Sequence, residues 1–178
     1  MTRLSVPAID NAPEAAAELF GKIRKGMGKV PNAYLAIGAL SPASLALMLS
    51  ADTALAAGSL SRSEIEAVRL AVSAQNGCDY CVAAHSLVGK MAGLAPAELQ
   101  ALRAGKPTGD AKRDALVAFA LHVAGSRGTV SADRVQAVFD AGYTSTQVVE
   151  TLLAIALITF TNLVNRVNDT VVDFPTPA

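Results

Sequence analysis

Both cysteines of the chain and one of its two histidines lie within the short stretch QNGCDYCVAAH, residues 75–85. Cys78 and Cys81 are three residues apart, and His85 follows Cys81 by four. On a helix, such spacings bring side chains onto neighbouring faces, with Cβ atoms about 5–6 Å apart. Two thiols at this separation could form a disulfide after a small adjustment. The stretch therefore indicates redox chemistry, a metal site, or two small buried side chains.

Two features favour a thiolate at Cys81. A helix that begins at about Cys78 puts both sulfurs in its first turn, where the helix N-terminus stabilises an anion. His85, one turn beyond Cys81 on the same face, can accept the thiol proton or pair with the thiolate. Cys81 is then the nucleophile and Cys78 the partner that closes a disulfide. The opposite assignment stays open, because the first cysteine of many CxxC sites is the more exposed one.

A carboxylate on the preceding helix could orient the imidazole. Glu66 lies 12 residues before Cys78, between apolar neighbours. The Asn-Gly pair at 76–77 ends the first helix and allows the chain to turn into the second. If Glu66 is buried it needs a partner, and His85 or a bound water is a suitable one. We therefore predict that Glu66, His85 and Cys81 form an activated nucleophile, with Cys78 as the resolving thiol.

Metal and cofactor sites are weaker interpretations of the same residues. A zinc site would use the two cysteines and His85, with Glu66 or His122 as the fourth ligand. The second CxxC pair that usually completes such a site is missing. Covalent haem attachment needs a histidine directly after the second cysteine, and a valine stands there. We predict neither a metal nor a cofactor.

The helices that must position these residues account for most of the chain. Strand signals are nearly absent, whereas Ser61–Glu64 and Thr144–Gln147 both have the pattern of a capping box. Helices are predicted at 12–25, 31–39, 42–57, 61–75, 78–91, 96–105, 110–125, 131–140 and 144–168. We predict one all-α domain over residues 1–178, a multi-helix bundle with an N-terminal helical extension at 1–29 and a frayed tail at 171–178.

The composition limits the partners. Lys+Arg and Asp+Glu each number 15, so there is no net charge to attract nucleic acid. The most apolar run, 151–160, is shorter than the roughly 20 residues of a membrane span, and the N-terminus lacks the apolar core of a signal peptide. We therefore expect a cytoplasmic protein with no membrane partner. The 52% hydrophobic content favours a homo-oligomer that hides apolar surface in a subunit interface.

A possible internal repeat involves the cysteine region. The segment 57–66 resembles 141–150 at an offset of 84, which would place the two cysteines on Asn162 and Asn165. A chance match between two helix-opening segments explains the similarity equally well. We expect both asparagines to bond to backbone or across an interface.

Three further polar residues have simple interpretations. His122 is expected to be a satisfied core or interface histidine, and Glu150 a solvated residue at a helix end. Tyr80, between the cysteines, is either the wall of a pocket or plain packing.

The pattern E-x11-C-x2-C-x3-H, formed by Glu66, Cys78, Cys81 and His85, resembles a known signature. It is similar to that of the alkylhydroperoxidase AhpD-like branch of the carboxymuconolactone decarboxylase family. The segments CDYCVAAH and AGYTSTQVVETLLAIALITFTNLVN are also typical of that branch. The resemblance covers roughly residues 30–170.

The resemblance implies an all-helical fold, usually assembled as a trimer or hexamer, and a thiol peroxidase without haem or metal. By this analogy Cys81 attacks a hydroperoxide and becomes a sulfenic acid, and Cys78 condenses with it to a disulfide. Glu66 and His85 would relay the proton. An external dithiol, dihydrolipoamide-like or thioredoxin-like, would restore both thiols.

The chain departs from AhpD itself at one position, since AhpD has a histidine just before the second cysteine and this chain has Tyr80. A phenol does not titrate near neutral pH, so the resemblance does not extend to the choice of reductant or the peroxidase strength. The resulting prediction is a thiol-dependent peroxidase. The alternative is a non-enzymatic redox or zinc-binding oligomer that uses the same cluster.

Overall fold

The computed structural model describes residues 2–177, and within that range the backbone forms nine α-helices and no strand. The helices are α1 (Glu14–Met27), α2 (Asn32–Leu40), α3 (Pro42–Ala56), α4 (Arg62–Gln75), α5 (Asp79–Met91), α6 (Pro96–Arg103), α7 (Ala111–Ser126), α8 (Ala132–Asp140) and α9 (Ser145–Asn168). The predicted all-α class is confirmed, and predicted and observed helix ends differ by at most two residues. Met1 and Ala178, which belong to the predicted extension and tail, lie outside the described residues.

The starts of α4 and α9 are held by the two predicted capping boxes. The Ser61 amide donates to the Glu64 carboxylate at 2.7 Å, and the Glu64 amide donates to the Ser61 hydroxyl at 3.2 Å. Thr144 and Gln147 exchange the equivalent bonds at 2.9 and 3.2 Å. Each box satisfies backbone donors that a helix start leaves free.

Helix α4 lies at the centre of the molecule and packs against α5, α6, α7 and α9. Every residue from Ile65 to Ser73 is buried except Arg69, which is partly exposed. A helix surrounded in this way must be apolar on nearly every face. Glu66 is the charged exception, and the packing of α4 places it inside the protein.

Helix α1 packs against α2 and α3 and builds a second apolar cluster. Phe20 of α1 enters this cluster beside Gly38 of α2 and Leu45 of α3. A Cβ atom on Gly38 would lie 2.6 Å from side-chain atoms of both Phe20 and Leu45. The close approach of these helices therefore depends on a glycine at position 38.

Helix α9 combines a buried face with an exposed apolar one. It packs against α2, α3, α4, α5 and α7. By length and composition alone, α9 is also apolar enough to cross a membrane, a test that core helices pass as well. Its exposed apolar face consists of Val149, Leu152, Leu153, Phe160, Leu163 and Val167.

The segment after α9 folds back over the protein. Asp169 ends α9 with a positive φ of 55°, and the chain then runs towards α2 and α5. The Val171 carbonyl accepts a hydrogen bond from the Asn32 side chain at 3.0 Å, and Asp173 bonds to Tyr80 at 2.7 Å. The prediction of a frayed tail is wrong for residues 171–174, because side chains far away in the sequence hold them in place.

Candidate active site

The two thiols lie at the start of helix α5, as the sequence predicts. Gly77 takes a positive φ of 64° in the turn between α4 and α5, a conformation that glycine adopts without strain. Cys78 is the N-cap of α5, and its sulfur accepts the backbone N–H of Cys81 at 3.4 Å. Both cysteines are free thiols, and both are buried.

Glu66 and His85 form the predicted pair. The Nδ1 atom of His85 lies 2.7 Å from Oε2 of Glu66, and only 4% of Glu66 is exposed. Because the carboxylate accepts at Nδ1, the other ring nitrogen of His85 stays available for proton transfer. Burial would raise the pKa of Glu66, but His85 and Arg69 outweigh it and hold the pKa below its ordinary value.

Arg69 links the carboxylate of Glu66 to helix α3. It lies one turn beyond Glu66 on α4, with Nη1 3.4 Å from Oε1 of Glu66, and its Nη2 atom donates to Asp52. The guanidinium is therefore shared between two carboxylates. Tyr34 lies nearby, where burial and the charge of Asp52 raise its pKa to about 12 and keep it protonated.

Two asparagines of α9 contact the thiol region. The side-chain amide of Asn165 donates to the sulfur of Cys81 at 3.3 Å. Asn162 donates to the hydroxyl of Ser73 at 3.2 Å and accepts from the side chain of Asn76 at 2.9 Å. The expectation that these asparagines bond to backbone or across an interface is wrong, because α9 turns them into the core beside α4 and α5.

The surroundings make the two thiols unequal. A hydrogen bond from Cys78 is the largest cause that lowers the pKa of Cys81, to about 6, against the opposing effect of burial. The amides of Asn165 and Asn162 and the charge of His85 act in the same direction. The same bond between the thiols, together with burial, raises the pKa of Cys78. The negative charge therefore belongs on Cys81 and the proton on Cys78.

An apolar pocket of about 90 Å³ opens beside Cys81. Cys81, His85, Arg69 and Asn165 supply polar atoms to its lining, whereas Cys78 does not line it. Most of the remaining lining is apolar and comes from Met27, Met48, Val88, Leu157, Ile158 and Phe174. A small apolar molecule in this pocket would therefore meet the sulfur of Cys81 before that of Cys78.

Tyr80 is part of the pocket wall, one of its two predicted roles. Its hydroxyl donates to Asp173 at 2.7 Å and accepts from the amide of Ala33 at 3.1 Å. Burial, the largest cause, and Asp173 both raise the pKa of Tyr80, so the phenol stays protonated. At this position the chain has a fixed, neutral hydrogen-bonding group.

Two predicted polar residues lie in other parts of the protein. Nε2 of His122 lies 3.1 Å from the carbonyl of Thr129, within the loop that follows α7. Glu150 accepts hydrogen bonds from the amides of Ser59 and Leu60 at 2.9 and 3.0 Å. The expectation of a merely solvated Glu150 is therefore wrong, since this carboxylate fixes the loop before α4.

Metal binding gains no support from the donor arrangement. Between residues 2 and 177, no group of three or more His, Cys, Asp or Glu side chains is placed to hold a metal ion. Glu66 is directed at His85, and the sulfur of Cys81 accepts from an amide.

The segment that carries the site is similar to a known protein family. Residues 42–121, which include Glu66, both cysteines and His85, match one family model. Over this segment the chain is similar to the carboxymuconolactone decarboxylase family. The predicted resemblance is thereby confirmed on the segment that carries the thiols. None of the curated proteins matches the chain by sequence.

Solved structures share the fold at low sequence identity. An alkylhydroperoxidase AhpD core, an uncharacterized peroxidase-related protein from Ralstonia eutropha JMP134, is 22% identical with a TM-score of 0.85, over 97% of this chain and 92% of that one. A peroxidase-related protein from Silicibacter sp. TM1040 is 20% identical with a TM-score of 0.82, over 96% and 91%. The debrominase Bmp8, as a cysteine-to-alanine variant with 2,3,4-tribromopyrrole, is 18% identical with a TM-score of 0.76, over 97% and 92%. These likenesses confirm that the chain has an AhpD-like fold.

Several residues of the site were missed from the sequence. Arg69 follows Glu66 by three positions on α4, a spacing that places both on one helix face and could have indicated their contact. The offset of 84 aligned Asn165 with Cys81, and these two side chains are in contact. Asp52 and Asp173 gave no local signal, because their partners are 17 and 93 residues away.

Proposed function

We propose that this protein is a thiol-dependent peroxidase that reduces hydroperoxides at Cys81. The observation that carries the proposal is the position of the Cys81 sulfur. It lines an apolar pocket, its pKa is lowered to about 6, and it accepts from Cys78 and Asn165. A thiolate in the open part of a site, with a protonated thiol beside it, suits attack on a weak O–O bond followed by disulfide formation.

The first step transfers one oxygen atom to sulfur. The Cys81 thiolate attacks the terminal oxygen of the hydroperoxide, the S–O bond forms and the O–O bond breaks. Sulfur is oxidised to a sulfenic acid, and the leaving alkoxide takes a proton to become an alcohol. His85 lines the same pocket, and Glu66 holds its Nδ1 at 2.7 Å. The imidazole takes the proton of the Cys81 thiol on its other nitrogen when the thiolate forms, and it is oriented to pass this proton on to the alkoxide.

The second step closes the disulfide. The Cys78 thiol attacks the sulfur of the Cys81 sulfenic acid, the S–S bond forms, and the hydroxyl group leaves as water with the thiol proton. Cys78 is at the N-cap of α5 and Cys81 is in the first turn, so the sulfurs are already close. An external dithiol then reduces the Cys78–Cys81 disulfide to two thiols and is itself oxidised to a disulfide.

The fold alone does not choose the reaction, because the debrominase Bmp8 shares it. Turnover therefore has to be measured directly, with tert-butyl hydroperoxide and a panel of dithiols that includes dihydrolipoamide and thioredoxin. We expect steady-state reduction with at least one dithiol and none with Cys81→Ser. Full activity in Cys81→Ser, or no reduction by the wild-type protein with any dithiol, would contradict the proposal.

The alternative is a redox or zinc-binding protein without catalytic activity. It predicts stoichiometric zinc in the purified protein and no turnover of peroxide. A zinc site on these residues would have to give up the contact of Glu66 with His85 and that of Asn165 with the sulfur of Cys81.

We also propose a cytoplasmic homo-oligomer, a trimer or hexamer, in keeping with the sequence prediction. The exposed apolar face of α9 supports an assembly, because water-exposed apolar rows of this kind commonly mark interfaces. A cytoplasmic location suits the cycle, since dithiol reductants are kept reduced there. Sedimentation of the purified protein tests the assembly.

A further inference from the structure

One wall of the Cys81 pocket is made by the segment that follows α9. The ring of Phe174 lies 5.5 Å from that of Tyr80, edge to face at 87°, and both rings line the pocket. The ammonium of Lys29 lies 4.8 Å from the centre of the Phe174 ring. Phe174 is therefore packed on two sides by residues from other parts of the chain.

Asp173 anchors this wall. Its carboxylate accepts from the Tyr80 hydroxyl at 2.7 Å, from Lys29 at 2.8 Å and from the amide of Asn32 at 3.3 Å. Three donors, two from the chain between α1 and the start of α2 and one from α5, fix the backbone just before Phe174. The aromatic ring is thus a pre-positioned part of the pocket, which lowers the entropy cost of binding against it.

The charges in the pocket are already neutralised. Arg69 is shared between Asp52 and Glu66, and Lys29 is paired with Asp173. An anionic substrate would therefore have to compete with existing ion pairs. The mainly apolar lining instead favours a neutral group.

The volume limits the size of that group. The pocket measures about 90 Å³, whereas an engineered cavity of about 150 Å³ in another protein admits benzene. A compact alkyl group therefore suits this space better than an aryl group.

We propose that Phe174 is a specificity-determining residue that selects small, neutral alkyl hydroperoxides by packing against their alkyl group. The inference rests on the proposed peroxidase function and names its substrate class. The alkyl group lies on Phe174 and the hydroperoxyl group points to Cys81. The chemical step is unchanged, so hydrogen peroxide, which has no alkyl group, gains nothing from this wall.

The test compares tert-butyl hydroperoxide, cumene hydroperoxide and hydrogen peroxide as substrates. In Phe174→Ala the KM for tert-butyl hydroperoxide should rise about tenfold, as expected for the loss of an aromatic contact and its buried area. The larger space should favour cumene hydroperoxide, so the ratio of its kcat/KM to that of tert-butyl hydroperoxide should increase. The kcat/KM for hydrogen peroxide should change less than about twofold.

Two further variants separate selectivity from general damage. Phe174→Leu keeps an apolar wall and should restore most of the preference for tert-butyl hydroperoxide. Val172→Ala changes an exposed side chain of the same segment, outside the pocket lining, and should match the wild-type protein. Equal losses with all three peroxides in Phe174→Ala, or unchanged ratios, would overturn the inference while the peroxidase function stands.

A binding measurement keeps the inference testable without turnover. tert-Butanol, the product alcohol, should bind the wild-type protein more tightly than Phe174→Ala in ligand-observed NMR, by about tenfold in Kd. If the wild-type protein reduces no peroxide, the proposed function fails, and this comparison still examines the pocket. Equal binding by both proteins would reject the role of Phe174.

Discussion

The side-chain amide of Asn165 donates a hydrogen bond to the sulfur of Cys81 at 3.3 Å. Helix α9 thereby supplies a donor to the thiol that α5 presents to the pocket. Because a donor to the anion favours the charged form, this contact contributes to the lowered pKa of Cys81. Cys81 and Asn165 are 84 positions apart, the offset of the possible repeat, and their side chains are in contact at the site.

Asn165→Ala should raise the pKa of Cys81 from about 6 towards the ordinary value of a thiol. Hydrogen bonds to charged groups contribute about 1.5–3 kcal/mol, so the thiolate fraction near pH 7, and with it the rate of reaction with peroxide, should fall about two- to fifteenfold. The pH dependence of alkylation by iodoacetamide measures this pKa. Arg166→Gln, an exposed change one residue along α9, is the control and should leave it unchanged. An unaltered profile in Asn165→Ala would show that the amide does not stabilise the thiolate.

Glu66→Gln should lower kcat/KM for the hydroperoxide about 100-fold, the usual size of a general acid–base contribution. The amide keeps the volume of the side chain but removes the charge that orients and supports His85 at 2.7 Å. Stopped-flow kinetics across the pH range would measure the loss.

Glu150→Gln is the matched control for this variant. Glu150 bonds to the loop before α4 through the amides of Ser59 and Leu60. Its replacement should reduce thermal stability and leave the peroxide rate intact. If Glu66→Gln behaves like Glu150→Gln, Glu66 has only a structural role.

Cys78→Ser should trap the first oxidised intermediate. Without a resolving thiol, the sulfenic acid on Cys81 persists and reacts with dimedone, a label that mass spectrometry detects. The serine hydroxyl can still donate to the sulfur of Cys81, as the Cys78 thiol does, so this variant keeps the hydrogen bond that is the largest cause of the lowered pKa of Cys81. Cys81→Ser should give no label. Labelling of Cys78 in Cys81→Ser, with none in Cys78→Ser, would reverse the roles of the two thiols.

Asp173→Asn should destabilise the protein by about 1–2 kcal/mol at pH 7, since charge-assisted bonds are partly screened at this half-buried site. Burial opposes ionisation of Asp173, but Lys29 and Tyr80 outweigh it and lower its pKa. A lowered pKa stabilises the fold above the unfolded value, about 3.9, and this contribution is lost as the pH falls through the folded value. The difference between Asp173→Asn and wild type in urea unfolding should therefore shrink in acid.

Asp169→Asn is the control for that series, because Asp169 is exposed and makes only a long ion pair. Its Oδ2 atom lies 3.8 Å from Nη2 of Arg3. This variant should change stability by less than about 0.5 kcal/mol at any pH. A pH-independent difference for Asp173→Asn would mean that packing, and not the charge of Asp173, holds the C-terminal segment.

The helices were predictable because their ends depend on local signals. Ser61 and Thr144 cap the helices that they precede, and Gly77 lies in the turn between α4 and α5. The pairing of Glu66 with His85 was also predictable, since a buried carboxylate on one helix needs a partner on the next. Local patterns of this kind do not depend on the rest of the fold.

Contacts between distant segments could not be predicted in the same way. Tyr80 and Asp173 are 93 residues apart. Asp173 is followed by Phe and Pro near the end of the sequence, and this short segment has no hydrophobic periodicity that would indicate a packed element. The C-terminal segment folds back because Lys29, Tyr80 and Asp173 meet in three dimensions. Asn165 shows a different failure, since the offset of 84 aligns it with Cys81, but we expected its side chain to bond to backbone or across an interface.

Titration of the thiols after a single addition of peroxide tests the central claim most directly. One equivalent of tert-butyl hydroperoxide should remove both thiols together from the reduced protein, and mass spectrometry should find a Cys78–Cys81 disulfide. Dihydrolipoamide should then restore both thiols. Two intact thiols after the peroxide has been added, or the loss of one thiol without a disulfide, would contradict the account.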